Sequence, residues 1–387
     1  MTSNPRRIVT LNACHFALFP IPTITLFWQD QIGMSLTDIM VLQAVFGVAV
    51  VVLEFPTGYF ADRVGYRASM LVGAALWGAG WFVYALGETF GAIVVAEIVC
   101  GAGAAFISGA DRALLWLSLE ATDRVHDYTR WESRLRAAAQ TTEAASAAVG
   151  GWLYAVAPRL PLWMQLPAAA VEMFAAFRMK ETARPPIAPR SHVARALHVA
   201  RATLWRHRRL RAAITLSVTL GLSTFVMVWL VQSWMQSRGI PPGWFGPLWA
   251  AAHVWLAAVT LAAPRIADVV GARGVLLLCC VLIPVGYGGL AWSTSAWAVV
   301  FYLCFMTIRG LQLPILSTVM QQEAPGEDRA TVLSLAALVF RFVFVVTGPL
   351  IGALADRTGL DTALAVTGAG FTAASLASLA LFTSSRR

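Results

Sequence analysis

Glu54-Phe55-Pro56-Thr57-Gly58-Tyr59-Phe60-Ala61-Asp62-Arg63-Val64-Gly65-Tyr66-Arg67 sets charges and two glycines between two long apolar runs. The core of this stretch returns as Ala267-Asp268-Val269-Val270-Gly271-Ala272-Arg273, so the pattern A-D-x-V-G-x-R occurs twice. Two copies in the two halves of one chain point to an internal duplication.

The composition says what surrounds these turns. Of 387 residues, 58% are hydrophobic and only 13% are charged, against about 25% in a soluble domain. Apolar stretches long enough to cross a bilayer as helices recur from end to end. Helices are expected near 8–29, 36–60, 68–87, 91–119, 135–157, 162–179, 211–236, 243–263, 274–293, 296–321, 330–350 and 362–382. The chain therefore reads as an all-α membrane protein with twelve spans, of which 8–29 is a retained first span rather than a leader.

The net charge of +9 is a topology signal rather than a nucleic-acid footprint. With both termini cytoplasmic, Arg6, Arg7, Arg63, Arg67, Arg124, Arg130, Arg134, Arg265, Arg273 and Arg329 fall on the inside. Only Arg159, Arg238 and Arg357 fall outside. The five cysteines lie within apolar spans, without metal-type spacing, and read as packing residues.

The longest polar interval divides the spans six and six, giving an N-terminal bundle at 1–180, a linker at 181–210 and a C-terminal bundle at 211–387. Within the linker, Val193, Leu197, Ala200 and Leu204 form one stripe among arginines, which predicts a basic amphipathic helix on the cytoplasmic membrane face. Asp62 and Asp268 then occupy corresponding inside loops, between spans 2 and 3 and between spans 8 and 9. Parallel halves of this kind are a known transporter design.

Gly58-Tyr59-Phe60-Ala61-Asp62-Arg63-Val64-Gly65-Tyr66-Arg67 resembles the signature G-x-L-A-D-R-x-G-R-K of the major facilitator superfamily, which occupies the same loop. That resemblance implies two six-helix bundles rocking around a central cavity, lined mostly by spans 1, 4, 7 and 10. It implies a conformational latch made of Gly58, Asp62, Arg63, Gly65 and Arg67, with Asp268 and Arg273 in the second copy. Asp62 is expected to face the N-terminal end of span 11, near Asp328 and Arg329, where a helix dipole favours a carboxylate. Gly58 and Gly65 are expected to allow close helix approach and a tight reversal. Arg63 and Arg67 are expected either to pair with Glu120 or Asp123 or simply to mark topology. Two departures stand out: span 5 has Ser146-Ala147-Ala148-Val149-Gly150-Gly151 where many proton-coupled exporters have G-P-x-x-G-G. Span 4 has Glu97 near where the family often has an arginine.

Ionisable groups inside the bilayer cost roughly 2.5–3.5 kcal/mol each on insertion scales, so each needs a reason. The first half holds Glu54, Glu97, Asp111, Arg112, Glu143 and Glu172, and the second holds His253, Arg309 and Arg341. A Glu54–Arg112 ion pair is expected from their similar depth. Glu97 is the leading candidate for proton coupling, because a carboxyl that alternately wets and dries can load and release a proton. Glu97, Gly101, Ser108 and Asp111 share about one helical face, and Asp111 and Glu143 are further candidates. Glu172 reads as peripheral, and His15 as a core histidine. Arg309 and Arg341 either bind an anionic group on the substrate or neutralise acids such as Glu143. His253 and Trp229 join them as substrate-binding candidates, with Phe225, Trp249 and Trp255 as an apolar wall.

H-E-x-x-H, G-x-S-x-G, Walker and C-x-x-C motifs are all missing from the sequence, which argues against a membrane enzyme and calls for no cofactor or metal. The reading is a monomeric, multi-pass secondary transporter of the cell inner membrane, exporting an amphipathic small molecule in exchange for protons. Uptake by symport, lysolipid or glycolipid flipping, and a transport-dead sensor or scaffold are the alternatives.

Overall fold

The computed structural model describes residues 3–182, 207–324 and 329–384. The amphipathic helix expected over 193–204 lies outside them, as does Asp328. The described residues are helical with short connections and no strands. Helices α1 (Asn4–His15), α2 (Ile24–Phe27), α3 (Leu36–Arg63), α4 (Tyr66–Leu86), α5 (Phe90–Ile107), α6 (Ala110–Glu120), α7 (Tyr128–Val156) and α8 (Leu160–Arg178) precede the linker. After it come α9 (Arg208–Ser237), α10 (Phe245–Trp292), α11 (Tyr302–Glu323), α12 (Arg329–Thr358) and α13 (Leu360–Ser384). Joining the broken first and fourth spans, and dividing α10 at Gly271, gives six spans on each side of the linker. Nine helices among the described residues are long and apolar enough to cross a membrane.

Two spans expected to be continuous are broken. The first, expected over 8–29, stops at His15 and resumes at Ile24, then closes with a wide turn at Trp28–Ile32. Pro20 and Pro22 lie in the gap, where neither can donate a backbone hydrogen bond. The fourth span ends at Ile107 and restarts at Ala110, because Gly109 takes a left-handed φ of 81°. Glu97 and Asp111 therefore do not share one continuous helical face.

The repeated motif has a common backbone device. Gly65 has φ 145° and ends the turn between α3 and α4, while Gly271 has φ 74° and interrupts α10 at the corresponding place. Any side chain is disfavoured in this half of φ space. The two copies thus share a glycine with positive φ between two helices. Past Gly65, the free amides at the start of α4 are taken by one carboxylate: Tyr66 N donates to Glu181 Oε1 (3.2 Å) and Arg67 N to Oε2 (3.0 Å). An acid is favoured at this positive helix end.

The chain clusters into two compact units. One holds Met1–Met34, Val41–Ala188 and Pro241–Ala250; the other holds Ser35–Met40, Pro189–Ile240 and Ala251–Arg387. Two short segments, Ser35–Met40 and Pro241–Ala250, cluster apart from their neighbours in sequence. In the first unit, α4 and α5 pack at backbone distance: a Cβ on Gly103 would lie 2.8 Å from Trp77 N and 2.9 Å from Gly73 O. Small residues at such crossings replace the hydrophobic drive that lipid cannot supply. Also in this unit, Gly150 abuts the Phe19 carbonyl in the broken first span, and Gly151 lies against Gly246. In the second unit, α9 is the most enclosed span, with 72% of its apolar window buried. Tyr287 Oη donates to Ser223 O (2.8 Å) and Trp234 Nε1 to Leu290 O (2.9 Å), tying α9 to α10.

Candidate functional site

Three buried acids of the first unit each meet a polar partner from another helix. Glu97, on α5, is 7% exposed and receives Tyr84 Oη from α4 (2.6 Å) and Gln43 Nε2 from α3 (3.1 Å), both on Oε1. Among the described residues no arginine, lysine or histidine is bonded to it. Asp111 opens α6, where the broken span presents a new helix N-terminus that favours a carboxylate. It is 2% exposed and accepts Asn12 Nδ2 from α1 (3.2 Å). Glu172, on α8, is fully buried, and its Oε1 meets His15 Nδ1 at 3.0 Å. The His15 ring lies 4.1 Å from that of Trp77. Glu172 is therefore interior rather than peripheral. Gln165, two turns before it on α8, is also fully buried, and neither of its amide atoms has a hydrogen-bond partner among the described residues.

The expected Glu54–Arg112 pair is replaced by other contacts. Arg112 sits between Asp111 Oδ2 (3.4 Å) and Glu132 Oε1 (3.3 Å), the latter brought by α7. Glu54 is exposed on α3. The reason is the break at Gly109, which turns α6 away from the register a continuous span would have. Glu143 is half-buried on α7.

At the first motif, Asp62 is exposed and accepts the Tyr66 hydroxyl at 2.9 Å. Arg63 lies over the Tyr59 ring (5.1 Å). Arg67 donates to the Phe177 carbonyl at the end of α8 (3.0 Å). The bonds expected to Glu120 or Asp123 are not among these contacts; a guanidinium this close to the end of α8 is better used on its last carbonyls. A Cβ on Gly58 would meet nothing within 4 Å, so the close approach expected there is not made in this conformation. Asp268 and Arg273 are exposed on either side of the Gly271 turn.

In the second unit, Arg309 on α11 and Arg341 on α12 are half-buried, as is His253 on α10. Trp229 is buried and stands edge-on to Phe225 (6.1 Å), which also meets Phe340 (5.5 Å) and Phe344 (4.9 Å) of α12. Trp229 thus belongs to an aromatic cluster joining α9 and α12. Trp255 Nε1 donates to Thr307 Oγ1 of α11 at 2.9 Å, next to the turn that carries Arg309.

Helices of bilayer length, broken spans with buried acids inside them, and a duplicated helix–turn motif define a polytopic transport protein. A family model for the Major Facilitator Superfamily matches residues 9–346, and the chain belongs to that family. No curated protein matches the chain. Among solved structures, the nucleoside transporter NupG superposes with a TM-score of 0.82 at 13% identity, covering 98% of this chain and 99% of that one. A POT family transporter in complex with 5-aminolevulinic acid gives 0.72 at 14% identity, over 98% and 96% of the two chains. A bacterial homolog to human lysosomal transporter Spinster gives 0.72 at 11%, over 100% and 97%. At these identities the likeness is one of fold.

Proposed function

We propose that the chain is a proton-coupled secondary transporter working by alternating access, with Glu97 as the coupling group, and that it exports an amphipathic small molecule across the cell inner membrane. The observation that carries this reading is the setting of Glu97. A membrane-interior carboxyl normally survives by pairing with a cation or by staying neutral. Glu97 has two neutral donors, and both converge on one oxygen. That leaves Oε2 to take and give a proton while Tyr84 and Gln43 hold the carboxyl in place. The donors favour the ionised form when water enters, and burial favours the neutral form when it leaves. His15–Glu172 is a second protonatable pair in the same unit, and Asp111 and Glu143 stand behind it.

Asp62, at the end of α3, is the clasp on the cytoplasmic side, holding the first amides of span 11 in one of the two end states. Arg309 and Arg341 face the choice between a substrate anion and acids of the first half. Trp229, His253 and the aromatic cluster supply apolar surface for an amphipathic ligand. Inward transport by symport is the competing direction, and the chain works as a monomer in either case.

The test is flux in proteoliposomes under an imposed pH gradient, with a ligand found by thermal-shift screening of amphipathic cations, nucleosides and short peptides. Glu97→Gln keeps the shape and one accepting oxygen, so it should fold normally, still exchange ligand, and lose gradient-driven accumulation. Full accumulation by this variant would remove Glu97 from the mechanism. Arg309→Ala should weaken binding of anionic ligands alone.

A further inference from the structure

Four arginines surround one cavity of the first unit. The cavity has a volume of about 420 Å³ and is lined by Ser3, Arg6, Arg124, Arg130, Trp131 and Arg134. It lies where α1 begins and where the turn from α6 enters α7. Arg124 is bonded to Asp127 at 2.6 Å, and that bond holds the Asp127 carboxyl below the usual range, so one charge is cancelled. Arg134 lies over the buried Trp131 ring at 4.9 Å. Among the described residues, Asp127 is the one carboxylate bonded to any of the four guanidiniums. Like charges gathered around a common space repel unless an anion fills it, and topology alone asks only that arginines be on one side, not that they converge.

We propose that this cavity binds a phosphate group. Its volume suits a headgroup rather than a bare ion. Guanidiniums bind phosphate through paired N–H donors, and basic pockets at helix ends beside the membrane take acidic lipid headgroups. A lipid headgroup and soluble phosphate share this chemistry; the basic lining at helix ends makes an acidic membrane phospholipid the favoured source, with soluble phosphate as the other.

The full chain would be purified and reconstituted in vesicles of phosphatidylcholine alone or with added phosphatidylglycerol, with inorganic phosphate titrated in a third arm. Melting and retained lipid, read by native mass spectrometry, should show preferential retention of phosphatidylglycerol. Arg130→Gln should reduce that preference roughly five-fold, and Arg130→Gln with Arg134→Gln more, without changing melting in phosphatidylcholine. Stabilisation by inorganic phosphate alone would support the site and assign its source to solution. Equal retention of both lipids together with no response to phosphate would overturn the site, as would full preference in the double variant.

A second inference comes from the far end of α3. Gly352-Ala353-Leu354-Ala355-Asp356-Arg357-Thr358-Gly359, at the end of α12, repeats Gly58-Tyr59-Phe60-Ala61-Asp62-Arg63-Val64-Gly65 at both glycines, the alanine, the aspartate and the arginine. Gly359 has φ 84°, as Gly65 and Gly271 are also positive. Ser35 and Asp38 form a reciprocal cap at the start of α3, which leaves the Leu36 and Thr37 amides open. Asp356 takes both, at 3.0 and 2.9 Å, and the Thr37 hydroxyl as well. A Cβ on Gly352 would fall 2.7 Å from Leu36 O, so this glycine makes the close approach that Gly58 does not.

We infer that Asp356 is a second clasp, acting at the opposite end of α3 from Asp62 and released in the other half of the transport cycle. This rests on the alternating-access reading. Spin labels at Glu88, on the loop between α4 and α5, and Thr294, on the loop after α10, would report a change in separation. Asp356→Asn should lengthen that distance distribution, and Thr37→Val should do so more weakly. Unchanged distances in Asp356→Asn, with a shift in Asp62→Asn, would reject the second clasp and leave alternating access standing. No shift in either variant would reject both.

Discussion

Glu172 has no room for error. Removing the imidazole in His15→Ala should destabilise the protein by about 1–3 kcal/mol, because a fully buried carboxyl loses its partner. Adding Glu172→Leu should restore part of that loss, since the buried carboxyl left without a partner is then gone. Thermal melting in detergent checks both, and additive losses would contradict the coupling. Tyr84→Phe keeps the ring against Trp81 but removes the shorter donor to Glu97, so gradient-driven flux should fall while melting moves little. These sites differ in how readable they are from sequence. Glu97 stands out as a charge inside an apolar run, but its partners lie at 43 and 84, and nothing in spacing links three helices at one depth. Glu172 was misread because its span is short and ends in arginine, which places the acid near a surface on paper. His15, one helix away in space and far in sequence, is what draws it inside.

At the level of the helices, two glycines at different positions of the motif should respond in opposite ways. Gly58 is helical, and a methyl there meets open space, so Gly58→Ala should stabilise α3 by about 0.5–1 kcal/mol. Gly271→Ala should cost about 1–2 kcal/mol through backbone strain alone, since it too has open space around it. Denaturation of the two variants side by side checks the sign. The ends of most spans were legible to within a few residues, because hydropathy changes sharply there. The breaks in spans 1 and 4 were not, although Pro20, Pro22 and the Ser108-Gly109 pair are the usual punctuation. Hydropathy averaged over a span hides two or three residues of irregular backbone. Helix α7 begins at Tyr128, two turns before its apolar part, since a helix may continue into water without any hydrophobic signal.

For the molecule as a whole, Asp62→Asn should shift the population toward the form open to the cytoplasm, readable as longer distances between labels on the cytoplasmic loops of the two halves. The duplication and the family were legible because a ten-residue turn motif is specific, whereas substrate and direction depend on a surface assembled from many helices. Glu97, Asp111 and Glu172 find their partners at Gln43, Tyr84, Asn12 and His15, all before residue 173. The ribosome delivers this half first. Every one of these acids can thus be hydrogen-bonded during biogenesis, before the translocon has received the segments from α9 onward, and the growing chain need not wait in the bilayer with bare carboxyls for a partner still unmade.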